Sequence, residues 1–496
     1  MSIASWAEGQ PRHGAVAAGN PDAVNAGLAL LADGGNAIDA IVAAAFAMGV
    51  VEPLDCGLGG GGFATVHAGG VTECLDFIGA APLTARYQLY QTHSPVDGYR
   101  ISVRGRANEL GHRSVAVPGA AAGLDALLAR FGTRPLSAVL APAIALAEDG
   151  YTIARKPALR LARTEESLRL TAETARVFLN PDGSVPTAGT PARSPDYAAS
   201  LRQLAAAGAG DFYHGDLAAQ IAADMAANGG FLTRHDLANY QARWRQPATG
   251  DFAGRRFATM APPSAGQLVL AGLAALAGDD GADRLLARAR AMLAMFERRS
   301  AAFGDPAFVV SAGESDETTS LAAIDTAGNA ACITYSLNIH SGVVTPGTGI
   351  LLNNQMLLFD PWPGSPNSVV GGKRPTSSMM PTLAFGADGV ELAIGASGST
   401  RIPTALMQVM DRVFVGGESL DQAVGGGRIH AEAERLLVDE DMAAAAAPIA
   451  ASLGLNTQVM AGRDPSLGAV QGIHSTGDGR LRAVGDPRAG ATGGIL

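Results

Sequence analysis

From Ala40 to Val51 every position is apolar, with Asp39 before the run and Glu52 after it. A helix that is hydrophobic on all faces is a buried one, so "NAIDAIVAAAFAMGVVEP" predicts a core helix, capped by Asn36 and packed against a sheet. Upstream, "NPDAVNAGLALLADGG" predicts another helix, with Asn20 as N-cap, Pro21 at the first helical position and a Gly-Gly stop. The first forty residues past the leader therefore read as helical. The pattern then changes to alternation, and "GLGGGGFATVHAGG" predicts a glycine run leading into a strand from Phe63 to His67. "ECLDFIGAAP" predicts a strand ending at Pro82, and residues 84–113 read as a polar loop. "SVAVPGAAAGLDALLARFG" reads as strand, Pro-Gly turn and helix, and residues 135–245 as largely helical. "FATMAPPSAGQLVLAGLAALAG" reads as strand, Pro-Pro break and helix, followed by an amphipathic helix in "DRLLARARAMLAMFERRSAAFGD".

After residue 312 antiparallel signals dominate. "SLAAIDTAGNAACITYSLN" predicts a hairpin, with Asp325, Gly328 and Asn329 supplying turn chemistry between two apolar runs. "TLAFGADGVELAIGAS" predicts two more strands, "RIPTALMQVMDRVFV" a helix, and "GAVQGIHSTGDGRLRAVGDPR" the closing strands. This order of elements predicts an α+β sandwich around a pair of antiparallel sheets. The 496 residues would suggest about three domains at ~150 residues each. No repeat or long linker divides them, however. With 47% hydrophobic and only 17% charged residues, the ratio of core to surface is that of one compact body.

Composition narrows the function. A net charge of −10, with no basic cluster longer than a pair, gives no nucleic-acid footprint. The start, "MSIASWAEGQPRHGAVAAGN", has no charged and apolar leader pattern, and the Ala40–Val51 run is too short to cross a bilayer. Three cysteines (Cys56, Cys74, Cys332) lack metal-ligand spacing. The expectation is a cytoplasmic enzyme needing no metal or cofactor, with no membrane or nucleic-acid partner.

Three motifs carry candidate chemistry. The run "GLGGGGF" lacks the Lys-Ser/Thr of a phosphate-binding loop and precedes a strand, so it reads as close backbone approach in the core. "GASGSTR" (Gly395 to Arg401) reads as a nest of backbone N–H groups beside a helix start, suited to an anion or a developing oxyanion. In "DETTSLAAID", Thr318 stands where a loop enters a strand. Strand hydroxyls alone account for such residues. A threonine becomes a nucleophile when a base takes its proton, and a free α-amino group, with a pKa of ~7.7–8.0, is such a base. That amine exists only if the bond between Glu317 and Thr318 has been cut. The hairpin returns Ser336 towards Thr318, and Gly398–Ser399 offer backbone donors.

Together these segments resemble the γ-glutamyltransferase family of N-terminal-nucleophile hydrolases. "LLADGGNAIDAIVAAAFAMGVVEP" with "GLGGGGF" is similar to its amino-terminal signature, and "SVAVPGAAAGL" to its next block. "TTSLAAIDTAGNAACITYSLN", "GTGILLNNQM", "KRPTSSMMPT", "GASGSTRI", "GAVQ" and "DPR" follow in the family's order. The resemblance implies a four-layer αββα fold and a precursor that cuts itself between Glu317 and Thr318 into 1–317 and 318–496, two parts that stay together and could oligomerise further. It implies that Thr318 attacks an amide and passes the acyl group to water or an amine. It also implies that Ser336 supports the nucleophile, that Asn338, Gln355, Ser377 and Ser378 line the substrate pocket, and that the backbone amides of Gly398 and Ser399 form the oxyanion hole.

Two positions depart from the pattern. Where the family grips a carboxylate with arginine this chain has Ile78, and where it holds an ammonium with aspartate it has Leu358, with Asp360 shifted by two. Losing a buried charge-assisted partner costs ~2–5 kcal/mol, so the expected substrate is an amide other than a γ-glutamyl compound, of the acylase or small-amide kind. Arg104, Arg106 or Arg113 could restore a clamp from another direction, which keeps ordinary γ-glutamyl hydrolysis as the alternative. A non-catalytic binding relative is the third reading, against which stands the retention of Thr318, Thr319, Ser336, Asn338 and the nest.

Overall fold

The computed structural model describes residues 5–92, 103–279, 281, 283–302 and 318–496, without the side chains of 298–302. The fold is α+β, with two seven-stranded antiparallel sheets stacked between layers of helices. One sheet runs in the order Thr492–Ile495, Gly14–Ala18, Thr319–Asp325, Ala330–Ser336, Gly61–Ala68, Val71–Asp76 and Arg243–Arg245. The other runs Trp6–Gly9, Leu481–Gly485, Ala469–Ser475, Gly389–Ser397, Thr382–Gly386, Arg255–Thr259 and Ala248–Phe252. Small residues such as Ala15, Ala17, Ala322, Cys332 and Ala393 fill the space between the sheets, which lets them approach closely.

The all-apolar segment is the helix Ala37–Val51, buried along its whole length. Asn36 caps it, accepting from the N–H groups of Ile38 and Asp39, while the Asp39 side chain accepts from the N–H of Asn36. This capping box fixes where the helix starts. It packs against the helices Pro21–Ala32 and Leu136–Asp149 and onto the first sheet. Beyond the second sheet lie the helices Gly266–Ala277 and Arg401–Phe414.

Several elements differ from the sequence reading. Before Asn20, where the sequence reading assigned no element, Trp6–Gly9 and Gly14–Ala18 are strands. Gly14–Ala18 is buried on both faces, so it shows no alternation of polar and apolar positions. The strand expected to reach Pro82 ends at Asp76, and the strand expected around Val115–Val117 is a single bridge between Ala80 and Val117. Arg243–Arg245, a small sheet of Ile429–Glu432, Arg435–Asp439 and Asn456–Met460, and the strand Thr492–Ile495 escaped notice. The glycine run behaves as expected: a Cβ on Gly59 would lie 2.0 Å from the Leu351 carbonyl oxygen, and one on Gly62 2.3 Å from that of Thr334.

Candidate active site

Thr318 is the residue before the strand Thr319–Asp325 and is only 5% exposed. The hairpin register pairs Thr319 with Tyr335, which sets Ser336 opposite Thr318, as the sequence suggested. The three neighbouring hydroxyls then diverge. Thr318 lines a cavity, whereas Ser320 hydrogen-bonds to Thr334 Oγ1 at 3.2 Å within the sheet core. Glu317 lies outside the described residues.

Ser336 Oγ accepts from the Asn338 N–H at 2.8 Å, closing a tight turn after the strand in which Asn338 takes a left-handed φ of 63°. Asn338 Nδ2 donates to Asn354 Oδ1 at 2.8 Å, while its own Oδ1 is buried without a partner. The sequence "LLNNQM" supplies three consecutive buried carboxamides, of which only Gln355 was singled out. Asn353 donates to the carbonyls of Gly59 and Ala116, and Asn354 to that of Glu109. Gln355 donates to the Ser336 carbonyl at 2.9 Å and accepts from the Gly79 N–H at 2.7 Å. It therefore braces the site as well as lining it. The signal for Asn353 and Asn354 was the rarity of adjacent carboxamides in an otherwise apolar segment.

Gly398 and Ser399 turn the chain from the strand Gly389–Ser397 into the helix Arg401–Phe414. Both have positive φ, 126° and 58°. A Cβ on Gly398 would lie 2.7 Å from Gly468 Cα, so only glycine fits there. Such a turn at a helix N-terminus gathers N–H groups and the positive end of the helix dipole. Ser399 also carries a buried Oγ without a partner among the described residues.

The cavity against Thr318 is small, ≈ 10 Å³, about the space of one water. Ser336, Asn338, Gln355, Ser377, Ser378 and Ser399 face it with polar groups, and Leu358, Met379 and Ile402 with apolar ones. Among the described residues, no charged side chain lines it. The hydroxyl of Ser377 accepts from the Met379 N–H at 3.2 Å.

Of the two departing positions, Leu358 reaches the cavity and Ile78 does not. Ile78 is fully buried in the apolar cluster that also holds Leu358 and Met379. Asp360 also misses the cavity; burial lifts its carboxyl to about 6, and Ser365 donates to it. Arg104 donates to Gln91, Arg113 lies over the Phe231 ring, and Arg106 is engaged by Glu109 and Glu166. None of Arg104, Arg106 and Arg113 lines this cavity, but Arg106 lines the larger cleft that Thr318 also faces.

On its other side Thr318 faces a cleft of ≈ 680 Å³, with Asn20, Lys156, Arg160, His340 and Gly398 in its wall. Behind it lies a buried ionic cluster in which Lys156 meets Glu52 at 2.5 Å and Asp55 at 2.7 Å. Burial raises the Glu52 carboxyl to about 7. Burial opposes ionisation of Asp55 too, but the charges of Lys156 and Arg160 outweigh it and hold that carboxyl low. The Asp55 carbonyl accepts from the Leu337 N–H at 3.0 Å, tying this cluster to the turn that holds Asn338. His340, fully buried, is depressed to about 3 by burial and then by Arg160, and its Nδ1 accepts from the Gly342 N–H. It is a neutral imidazole.

Burial pushes the thiols of Cys74 and Cys332 up to about 12, and among the described residues no group of three or more His/Cys/Asp/Glu could hold a metal ion. No helix there is long and apolar enough to cross a membrane.

A family model described as Gamma-glutamyltranspeptidase matches residues 23–313 and 310–495. The Acylase ACY 1 proenzyme of Pseudomonas sp. (strain SE83) is 34% identical, over 97% of this chain and 93% of its own. The Glutathione hydrolase proenzyme of Escherichia coli (strain K12) is 30% identical, over 96% of this chain and 91% of its own. Among solved structures, the cephalosporin acylase of Bacillus halodurans superposes with a TM-score of 0.88 at 27% identity, covering 100% of this chain and 98% of that one.

Proposed function

The chain belongs to the gamma-glutamyltranspeptidase family of amide hydrolases and acyltransferases, and from that premise we propose that it cuts itself between Glu317 and Thr318 and then hydrolyses or transfers an acyl group other than γ-glutamyl. In self-cleavage the Thr318 hydroxyl attacks the Glu317 carbonyl carbon. The C–N bond breaks as the nitrogen takes the hydroxyl proton, which leaves an ester and a free Thr318 amine, and water then splits the ester into a Glu317 carboxylate and the Thr318 hydroxyl. The parts are 1–317 and 318–496.

In turnover the Thr318 amine takes the hydroxyl proton as Oγ bonds to the substrate's acyl carbon. The backbone N–H groups of Gly398 and Ser399 hold the oxyanion, assisted by the helix terminus. Collapse expels the amine, which leaves with that proton, and the Thr318 ester remains. Water or a second amine then attacks the ester and restores the hydroxyl. Ser336, fixed by the Asn338 turn and by Gln355, keeps the nucleophile in place.

The observation that carries the substrate reading is the wall of the inner cavity: Leu358, Met379 and Ile402 with uncharged polar residues and, among the described residues, no charged side chain, while the cations beside Thr318, Arg106 among them, stand in the outer cleft. The acylase names of two relatives agree with it. The test is a series of 4-nitroanilides with neutral, glutaryl and γ-glutamyl acyl groups. A kcat/KM at least tenfold higher for one of the first two supports the reading, and a preference for γ-glutamyl overturns it.

A further inference from the structure

We propose that the side-chain hydroxyl of Ser399 is a further donor to the oxyanion, so that the residue stabilises that charge twice, through its N–H and through Oγ–H. The inference rests on Thr318 being the nucleophile, as proposed above.

Ser399 holds φ = 58°, a conformation that glycine takes without strain and a serine does not. Its neighbour Gly398 does need to be glycine, because Gly468 leaves no room for a Cβ, whereas at Ser399 a side chain is accommodated. That side chain is only 1% exposed, and its Oγ is shielded from solvent with no hydrogen-bond partner among the described residues. Buried hydroxyls almost always find partners, and one left idle calls for an explanation. Here Ser399 lines the same cavity as Thr318 and directly precedes the helix N-cap Thr400. A donor without a ground-state partner is what an oxyanion site requires, because its hydrogen bond forms only as negative charge develops on the acyl oxygen. The carbonyl of Ser399 is already engaged by the Ile402 N–H at 3.0 Å, which fixes the turn and limits where Oγ can point.

The decisive variant is Ser399→Gly, which removes the hydroxyl and keeps the backbone conformation, with Ser399→Ala beside it. Activity on an acyl 4-nitroanilide is expressed per cut chain, with the cut fraction read from intact mass. The expected result for Ser399→Gly is a fall in kcat of about a hundredfold, with KM within threefold of wild type and an unchanged or higher Tm. A lower Tm with kcat within threefold would assign the hydroxyl a structural role and overturn the proposal. So would equal losses in kcat and Tm. A folded variant that stays uncut extends the loss to the self-cleavage step and supports it. Thr318→Ala separates the two claims: if that protein turns over substrate, both fall. If it is inactive while Ser399→Gly matches wild type, only the Ser399 proposal falls.

Discussion

Gln355 Nε2 donates to the carbonyl of Ser336 at 2.9 Å, and this bond joins the short helical turn Gln355–Leu358 to the strand end facing Thr318. The other end of the same carboxamide accepts from the Gly79 N–H. Gln355→Leu should orphan both backbone groups, at about 1–3 kcal/mol each. The expected outcome is a Tm several degrees lower and a kcat/KM down more than tenfold, measured by thermal melt and anilide hydrolysis. An unchanged melt would deny the bracing role.

The two positions where the sequence departs from its family should behave differently. Ile78→Arg places a guanidinium in a fully apolar, fully buried site, and an uncompensated buried charge costs about 3–5 kcal/mol. Leu358→Asp alters the cavity wall instead. The melt should drop more for Ile78→Arg, while Leu358→Asp should cost more in kcat/KM on neutral acyl anilides than in Tm. The reverse pattern would mean that Ile78 is the substrate contact.

His340 gives stability a pH dependence of known sign. Burial lowers its folded value from 6.5 to about 3, so between these values the unfolded chain binds the extra proton and stability falls as pH falls. One proton contributes about 1.4 kcal/mol per pH unit. Glu52, raised from 4.5 to about 7, acts in the opposite sense: its native proton is lost as pH rises through that window, and stability falls with it. Melting curves from pH 4.5 to 6.5 should flatten towards acid in His340→Gln and steepen in Glu52→Gln. Identical slopes in wild type and both variants would contradict these assignments.

Gly59 has no space for a side chain, since a Cβ would lie 2.0 Å from the Leu351 carbonyl oxygen. Gly59→Ala should therefore yield little folded protein, whereas Gly69→Ala, with nothing nearby, should cost only the strain of its φ of 57°. Soluble yield and Tm compare the two directly.

The sequence made the hairpin around Thr318 legible because its turn residues and alternation are local, and the register followed from them. It also made the turn at Gly398–Ser399 before the helix legible, since the glycines stand directly before the helical pattern. Strands built from small residues buried on both faces, such as Gly14–Ala18, carried no periodic signal. The bracing by Asn353 and Asn354 depended on carbonyls hundreds of residues away, which only the folded chain brings together. Ile78 fell where a contact was expected, but its side chain turns into the core, and a position in the chain does not fix that direction.

The most direct test of the central claim is the intact mass of purified wild-type protein beside Thr318→Ala. The account predicts two wild-type fragments meeting at Glu317–Thr318 and a single uncut chain in the variant. A wild-type chain that stays whole for days at neutral pH, or a variant cut at the same bond, would contradict it.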